Sequence, residues 1–529
     1  MSILDDLLKP PAKTVKPRVR TYQPLPVVAI ADGEIITENG ELLTQDQLIQ
    51  RLPTMPPTLF VAVMAARFLS ELDRQYSQTT VGWQYRITNN ERNVSTPEGQ
   101  LIATRITVAI SYFGWKNRNY HKLIDPVTMY GHSLDRIWPG DGSRASRLLQ
   151  WGVALRDFCA DNDLEVRPTI GGIASQFLRD KRFYPEPRRK VPQATNQSVR
   201  EHLPGNHYRL FVEPEKDEYS AYYLDQSAAH HYHAIHTPMP HADHLYAYGR
   251  FLTLEDVCFP DVVEGFYGLY CLDLEWKHAA KFSWLPYPEN GKLEKQFVFS
   301  NELSHLHDMG YRVIGVRAAW GGRVRDTGIA RYAQWARTET AAHNGAPWLK
   351  PLLLATYGIL ATTPRTPESI FRIASRGEPT EVLTGGRPLP GLLVKGSRKL
   401  EPGIANVLHR AMIEAATRSE SVGLAQMLDA QGKKILAIYA DAVIVEDDGA
   451  VEPPELIEPW RLKQKLNHLI FLNQQAFVSG EMVRLPGISG IARTRTLRAH
   501  APRMAVNVER AMEIEETAEQ LMSQTGKRN

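Results

Sequence analysis

Cysteine is nearly absent from this chain: there are 3 in 529 residues, Cys159, Cys258 and Cys271, and no two are close in sequence. That scarcity argues against a disulfide framework and against a cysteine-based zinc site, and it fits a reducing compartment. No uncharged apolar run approaches the roughly 20 residues that a bilayer span needs. The N-terminus also lacks the apolar core of a signal peptide, so a cytoplasmic protein without a membrane partner is expected. Charge of one sign is missing too, since 62 Lys and Arg against 59 Asp and Glu leave a net +3. No global field therefore announces a nucleic-acid partner. Internal repeats and long low-complexity tracts are absent. What is present is ordinary for a globular protein, with 43% hydrophobic and 23% charged residues. The length is too great for one core and implies several domains.

Positive charge is instead gathered locally, at Lys9 to Arg20, at Arg188-Arg189-Lys190, and at Arg493, Arg495, Arg498 and Arg503. Such clusters are the footprint a nucleic acid would need. Residues 1–25 are rich in Pro, Lys and Arg without apolar periodicity, which predicts a mobile basic arm. Over 26–195, strand-like runs at Val27–Ile30 and Thr107–Tyr112 mix with helical spacing over 58–76 and 143–160, up to a boundary marked by Pro185, Pro187 and Pro192. Strands dominate 196–325, including Tyr208–Val212, Gly265–Leu272 and Tyr311–Arg317. Residues 326–360 read as two helices, 328–342 and 348–360. From 361 to 455 come a Gly/Pro-rich connection, a helix over 402–430 and a strand-like run over 434–445. Residues 456–529 begin with strands and end in an acidic amphipathic helix over 506–523.

Two aspartates stand out in this layout. Asp225 ends the run Ser220-Ala-Tyr-Tyr-Leu-Asp225, and Asp441 ends Ile435-Leu-Ala-Ile-Tyr-Ala-Asp441. Between them lies Lys350-Pro-Leu-Leu-Leu-Ala-Thr-Tyr357-Gly358. Either acid alone is an ordinary strand-end residue. Together, two carboxylates delivered by separate strands have the form that holds two Mg²⁺ ions over a triphosphate for in-line phosphoryl transfer. The expectation is a nucleotidyl transferase.

The order of these segments resembles family B DNA polymerases, most closely the protein-primed branch found in phages and linear plasmids. That family carries Asp-x-x-Ser-x-Tyr-Pro, Lys-x-x-x-Asn-x-x-Tyr-Gly, Asp-Thr-Asp-Ser and a later Lys-x-Tyr. The matching stretches here are Asp225-Gln-Ser-Ala-Ala-His-His231, Lys350 to Gly358, Tyr439-Ala-Asp441-Ala-Val-Ile-Val445 and Gln475-Ala-Phe477. The likeness covers roughly residues 196–490. It implies an α/β and α+β multidomain chain, a right-hand polymerase of palm, fingers and thumb behind an N-terminal ribonuclease-H-like exonuclease-type domain. The domains would be the arm (1–25), a degenerate exonuclease-like domain (26–195), a first palm segment with an insertion (196–325), fingers (326–360), a second palm segment with an insertion (361–455), and thumb with C-terminal helix (456–529).

The resemblance also assigns roles. Asp225 and Asp441 become the catalytic and metal-binding acids for two Mg²⁺, with Mn²⁺ as the alternative, and the Gln226 carbonyl an extra ligand. Lys350 would contact the triphosphate, and Tyr357, near the sugar, would share its helix face because i and i+7 nearly coincide. Arg337 is a second candidate phosphate contact, and His230 stands where the family has a sugar-packing tyrosine. Candidate DNA contacts are Arg200, Gly205 and Tyr208 before the palm, Gln475 and Phe477 near the thumb, and Arg493 and Arg495 on alternate positions of a strand. Partners would be primer–template DNA, deoxynucleoside triphosphates and a terminal protein for priming, in a bacterial host of a phage or mobile element.

Departures from the pattern matter. Tyr439 replaces the first acid of the third motif, Leu354 replaces an asparagine, and Gln475 and Phe477 replace lysine and tyrosine. Asp32-Gly-Glu34 and His132-Ser-Leu-Asp135 resemble the first two exonuclease motifs, but Ala145–Leu149 lacks the third acid, so an inactive exonuclease domain is expected. Asp273-Leu-Glu275 has the same acid spacing within a strand, where such residues usually face solvent. The histidines 230, 231, 233, 236, 241 and 244 lack fixed zinc spacing and are expected near template or nucleotide, some of them merely buried and hydrogen-bonded. A catalytically weak or inactive polymerase-like DNA-binding protein and a primase or RNA-synthesising polymerase remain as alternatives.

Overall fold

The computed structural model describes residues 25–52, 54–63, 83–95, 101–115, 121–130, 132–185, 191, 196, 199–201, 208–248, 252–253, 265–278, 281–286, 288, 290–361, 368–372, 394–398, 405–447, 449, 456–480, 482–485 and 490–500, with the backbone alone at 83–95, 101–115, 128, 246–248, 252–253, 368–372, 394–398 and 490–494. They fall into two compact units. One takes the described residues of 1–93, 103–187 and 338–405, the other those of 94–102, 188–337 and 406–529.

The first unit opens with a hairpin. β1 (Val27–Ala31) turns through Asp32-Gly33 into β2 (Glu34–Thr37), and both turn residues have positive φ, 50° and 85°, which Asp-Gly tolerates. β3 (Leu42–Leu43) and α1 (Gln45–Arg51), capped by a reciprocal Thr44–Gln47 pair, lead to β4 (Leu59–Ala62). After the long strands β5 (Trp83–Ser95) and β6 (Leu101–Trp115), β7 (Lys122–Ile124) completes the sheet β3-β2-β1-β4-β7, in which β1, β4 and β7 are parallel. Residues 59–62 are thus a strand where apolar spacing predicts the start of a helix. All four are buried between parallel neighbours, and such a strand has no alternating polar positions to announce it. α2 (Pro126–Tyr130) and α3 (Leu134–Ile137) precede α4 (Arg144–Asp161), which the sequence predicts closely. α4 lies on this sheet at Gly152, where a Cβ would come within 2.6 Å of Val61 Cγ2 and 3.0 Å of Val27 Cγ1. The missing side chain permits that approach. α5 (Ile170–Phe177) ends this part.

The second unit begins with β8 (Tyr208–Leu210), β9 (Tyr219–Gln226) and α6 (Ala229–His236). β10 (Tyr246–Tyr248), β11 (Leu252–Thr253), β12 (Tyr267–Trp276) and β13 (Lys292–Phe299) follow, then α7 (Leu303–Asp308) and β14 (Tyr311–Gly322). These strands form an antiparallel sheet, β10-β14-β12-β13, with β11 also against β14. Asp273 on β12 is buried rather than solvent-facing, because Arg317 Nε from β14 reaches its two oxygens at 2.7 and 2.8 Å. Glu275 is half-buried and paired with Lys277 and Arg312. α8 (Gly328–Ala342) starts where Asp326 Oδ1 accepts from the Gly328 and Ile329 amides.

Back in the first unit, α9 (Leu349–Leu360) packs on α5, and the strands β15 (Glu368–Arg372) and β16 (Val394–Arg398) extend the sheet of β5 and β6. Both helices of 328–360 stand where apolar periodicity predicts them.

The second unit then gains α10 (Val407–Ala430), which starts at Val407 rather than Pro402 because the Asn406 side chain caps it. β17 (Ile435–Tyr439) and β18 (Ala442–Glu446) form a hairpin, β19 (Trp460–Phe471) is long, and β20 (Phe477–Val478), β21 (Val483–Arg484) and α11 (Gly490–His500) close the described chain. The seven-stranded antiparallel sheet runs β21-β20-β19-β9-β18-β17-β8. Alternation along β9 splits its side chains between two cores. Tyr222 and Leu224 meet Val422, Ala425 and Leu428 of α10, whereas Ala221 and Tyr223 meet Tyr439, Phe471 and Phe477. Burying each large apolar side chain contributes about 1.5–3 kcal/mol, which fixes the register of this central strand.

Candidate active site

The site grows out of that register. Ala442 stands opposite Asp225 in the β18–β9 ladder, and Tyr439 pairs with Ala442, so Ala440 and Asp441 are the two residues of a tight hairpin turn. Ala440 takes φ 47°, a conformation a β-carbon disfavours. The Gln226 amide donates to the Asp441 carbonyl at 2.9 Å, which sets the two aspartates side by side at the end of the sheet. Burial raises the Asp441 carboxyl above the usual aspartate range, and the Asp225 charge raises it further, while Lys463 and Arg484 pull the other way. Two partly buried carboxylates that repel one another are a donor set suited to divalent cations.

Basic side chains from β19 face this pair. Arg461 is opposite Asp225 in the ladder, with its guanidinium 3.8 Å from Oδ2. The register shifts between Leu462 and Gln464, and in that irregularity Lys463 places Nζ 3.1 Å from Asp225 Oδ1 and 4.9 Å from the centre of the Tyr223 ring. Arg484 of β21 lies 4.9 Å over the Tyr439 ring and donates to the Tyr223 hydroxyl at 3.2 Å. The Tyr439 hydroxyl is buried without a hydrogen-bond partner among the described residues. Where the family pattern has a second acid, this chain therefore has a phenol beneath an arginine.

Gln226 turns its side chain inward. Nε2 donates to the Thr417 carbonyl and to Ser421 Oγ, each at 3.0 Å, so the amide orientation is fixed and Oε1 faces His233 Nε2 at 2.6 Å. An amide oxygen only accepts, so His233 carries its proton on Nε2. Burial, and then the neighbouring His236, push the His233 imidazole down to about 3, and it is neutral. Gln226 can offer a ligand only through its backbone. His230 is half-buried in the first turn of α6, and His231 is buried.

Other expected contacts are placed differently. Phe477 is fully buried and packs on Tyr223, Tyr439 and Phe471, so it supports the sheet and has no surface for DNA. Gln475 is exposed in the turn before it, and Tyr208 is half-buried with its ring 6.0 Å from Tyr439. Arg493 and Arg495 are on the helix α11, not a strand, and positions two apart on a helix do not share a face. Arg200 is half-buried, and Gly205 lies outside the described residues, as does the helix expected over 506–523. Arg337 pairs with Glu458 at 2.9 Å. In the other unit, Lys350 is exposed in the first turn of α9, whereas Tyr357 is fully buried on the same helix. The shared helix face does not give them a shared environment.

Among the first unit's acids, Asp32 is a hairpin-turn residue, 68% exposed and 3.6 Å from Arg144, and Asp135, 75% exposed, is 2.6 Å from Arg147. Arginines of α4 thus hold both. No three His, Cys, Asp or Glu side chains gather to hold a metal ion among the described residues. No described helix is long and apolar enough to cross a membrane. Sequence reasoning missed Arg461, Lys463, Arg484 and Ser421, whereas His233, one of the histidine cluster, is buried and hydrogen-bonded to Gln226. The alternation Arg461-Leu-Lys463-Gln-Lys465 in a strand was the one available signal for the first two.

No family model and no curated protein matches the sequence. Solved structures do match in fold. Phi29 DNA polymerase complexed with primer-template DNA, a post-translocation binary complex, is similar with a TM-score of 0.55 and 12% identity over 86% of this chain and 87% of that one. The same polymerase with primer-template DNA and incoming nucleotides gives 0.56 and 11% identity over 89% of this chain and 94% of that one. At such identity the likeness is one of fold: a mixed α/β multidomain architecture similar to that of phi29 DNA polymerase.

Proposed function

We propose that this chain is a template-directed DNA polymerase that adds deoxynucleoside monophosphates to a primer 3′-hydroxyl. The observation that carries the reading is the pairing of Asp225 and Asp441 at the ends of adjacent strands, beside the basic side chains of β19. The similarity of fold to phi29 DNA polymerase supports it. Asp225 and Asp441 would hold two Mg²⁺, or Mn²⁺, with the Gln226 carbonyl nearby. Bound there, the cations would neutralise the triphosphate and activate the attacking hydroxyl, which displaces pyrophosphate from the α-phosphorus. Arg461 and Lys463 supply positive charge for the primer backbone next to the acids. His230, Arg337 and Lys350 are the nucleotide-side candidates, and Tyr357 is restricted to packing by its burial. Arg200, Gly205, Tyr208, Gln475 and the arginines of α11 are the DNA-side candidates.

In this reading 196–325 and 361–455 form the palm with insertions, 326–360 the fingers and 456–529 the thumb, and residues 1–25 are a basic arm. Priming by a terminal protein belongs to the same reading, as does the protein-primed branch. Residues 26–195 would be an exonuclease-type domain without proofreading activity. Asp32 and Asp135, each paired with an arginine of α4, support that assignment. A second reading, a polymerase-like DNA-binding protein without catalysis, is favoured by Tyr439 in place of an acid and by the ammonium of Lys463 on Asp225.

Extension of a labelled primer–template with Mg²⁺ separates the two. Incorporation by wild type that is lost in Asp225→Asn and Asp441→Asn supports the polymerase. DNA binding by folded wild type without incorporation, from a DNA or a protein primer, supports the second reading. Preference for ribonucleotides would make the enzyme a primase or another RNA-synthesising polymerase.

A further inference from the structure

We propose that Gln226, Ser421 and His233 form a positioning relay that holds the Ala440–Asp441 turn in register with Asp225. The inference rests on the two-carboxylate reading above and deepens it. Ser421 Oγ stands 2.7 Å from the Ala440 carbonyl and 2.9 Å from the Thr417 carbonyl, and it accepts from Gln226 Nε2 at 3.0 Å. Gln226 Nε2 also donates to the Thr417 carbonyl at 3.0 Å, and Oε1 accepts from His233 Nε2–H at 2.6 Å. Every polar atom of the Gln226 side chain is therefore engaged. The relay ties β9, α6, α10 and the β17–β18 turn to one point, while the Gln226 amide holds the far side of the same turn through the Asp441 carbonyl.

Burial gives the relay its strength. Gln226 is 2% exposed, His233 3% and Ser421 0%, so the bonds among these three side chains are shielded from water, and a donor left unpaired there costs far more than one at the surface. The turn needs such support because Ala440 sits in the left-handed region, and because Asp441 is pressed against a like charge. Gln226 follows Asp225 directly, so fixing its side chain on α10 also fixes the strand end that carries the first carboxylate. Both acids then share one anchor, the Thr417–Ser421 turn of α10. Neither Ser421 nor His233 reaches the reacting atoms. They act through the backbone of the carboxylates, as outer-shell partners of metal ligands do.

The test uses the full chain and three variants, Ser421→Ala, Ser421→Thr and His233→Ala. Mn²⁺ binding is followed by electron paramagnetic resonance, and the turn is followed by amide hydrogen exchange across residues 435–446. Loss of the relay is expected to weaken Mn²⁺ binding on the order of 10–100-fold. Ser421→Ala should show that loss with faster exchange in the turn, wild-type circular dichroism and unchanged primer–template affinity, and Ser421→Thr, which keeps the hydroxyl, should recover most of it. His233→Ala should follow Ser421→Ala. Wild-type Mn²⁺ affinity and wild-type exchange in Ser421→Ala would overturn the relay, as would a loss that merely tracks the folded fraction. Mn²⁺ binding that is indifferent to Asp225→Asn and Asp441→Asn would instead overturn the two-carboxylate reading. Turn exchange would still report on the relay in that case.

Discussion

Lys463→Met probes the electrostatics of the site most directly. The ammonium lies 3.1 Å from Asp225 Oδ1, which at an effective dielectric of about 20 is a gross attraction of roughly 5 kcal/mol. The lysine side chain keeps 40% of its surface exposed, so water screens much of that, and the net value of such a pair is about 1 kcal/mol. The sign of its effect follows from competition. A divalent cation at Asp225 must displace the ammonium from Oδ1, so the ion pair subtracts its net value from metal affinity. Methionine keeps the stem that lies against the Tyr223 ring and removes the charge. The half-saturating Mn²⁺ concentration should therefore fall about fivefold, the equivalent of about 1 kcal/mol. Primer–template affinity should weaken at the same time, and the slope of its logarithm against the logarithm of salt should shrink by about one. Paramagnetic resonance for the metal and fluorescence anisotropy for DNA read the two effects separately. A half-saturating metal concentration equal to or above that of wild type would refute the competition argument and make Lys463 a supporting part of the metal-loaded site.

Asp441→Asn should abolish incorporation yet stabilise the second unit near neutral pH. The Asp441 carboxyl is held above its ordinary range by burial and by Asp225, so the folded protein binds that proton more tightly than the unfolded chain does. The resulting penalty is absent below the ordinary aspartate range and complete once pH has risen past the raised value. The gain from asparagine, on the order of 1 kcal/mol for a pair of like charges, should therefore be present at pH 7 and vanish near pH 3 in urea titrations. Equal gains at both pH values would contradict the sign. Gly152→Ala should destabilise the first unit by about 1–3 kcal/mol, because the new methyl meets Val61 Cγ2 at 2.6 Å in a close-packed layer. An unchanged urea midpoint would mean that α4 can lift from the sheet freely.

How much of this site the sequence carried depends on the range of the interactions that build it. Asp225 and Asp441 were legible because each ends a continuous apolar run, and an acid after such a run marks the point where a buried strand leaves the core. The direction of Gln226 was also within reach. Period-2 alternation puts it on the face of Tyr222 and Leu224, opposite Ala221, Tyr223 and Asp225. What meets it there was not, since Thr417 and Ser421 arrive from a helix, 191 and 195 residues away in sequence, and neither side chain carries a local signal. Lys463 carried only the alternation of Arg461-Leu-Lys463, and its partner Asp225 lies 238 residues away in sequence, while Phe477 is excluded as a DNA contact because it continues the apolar pattern of the core. Asp32 and Gly33 form a hairpin turn, a local feature that Asp-Gly between two apolar strands announces in sequence. Local pattern therefore located the two carboxylates, while the charges and hydrogen bonds that would tune them come from contacts made only by the folded sheet. Substitutions at Lys463 and Ser421 accordingly test the site more sharply than further changes to the aspartates themselves.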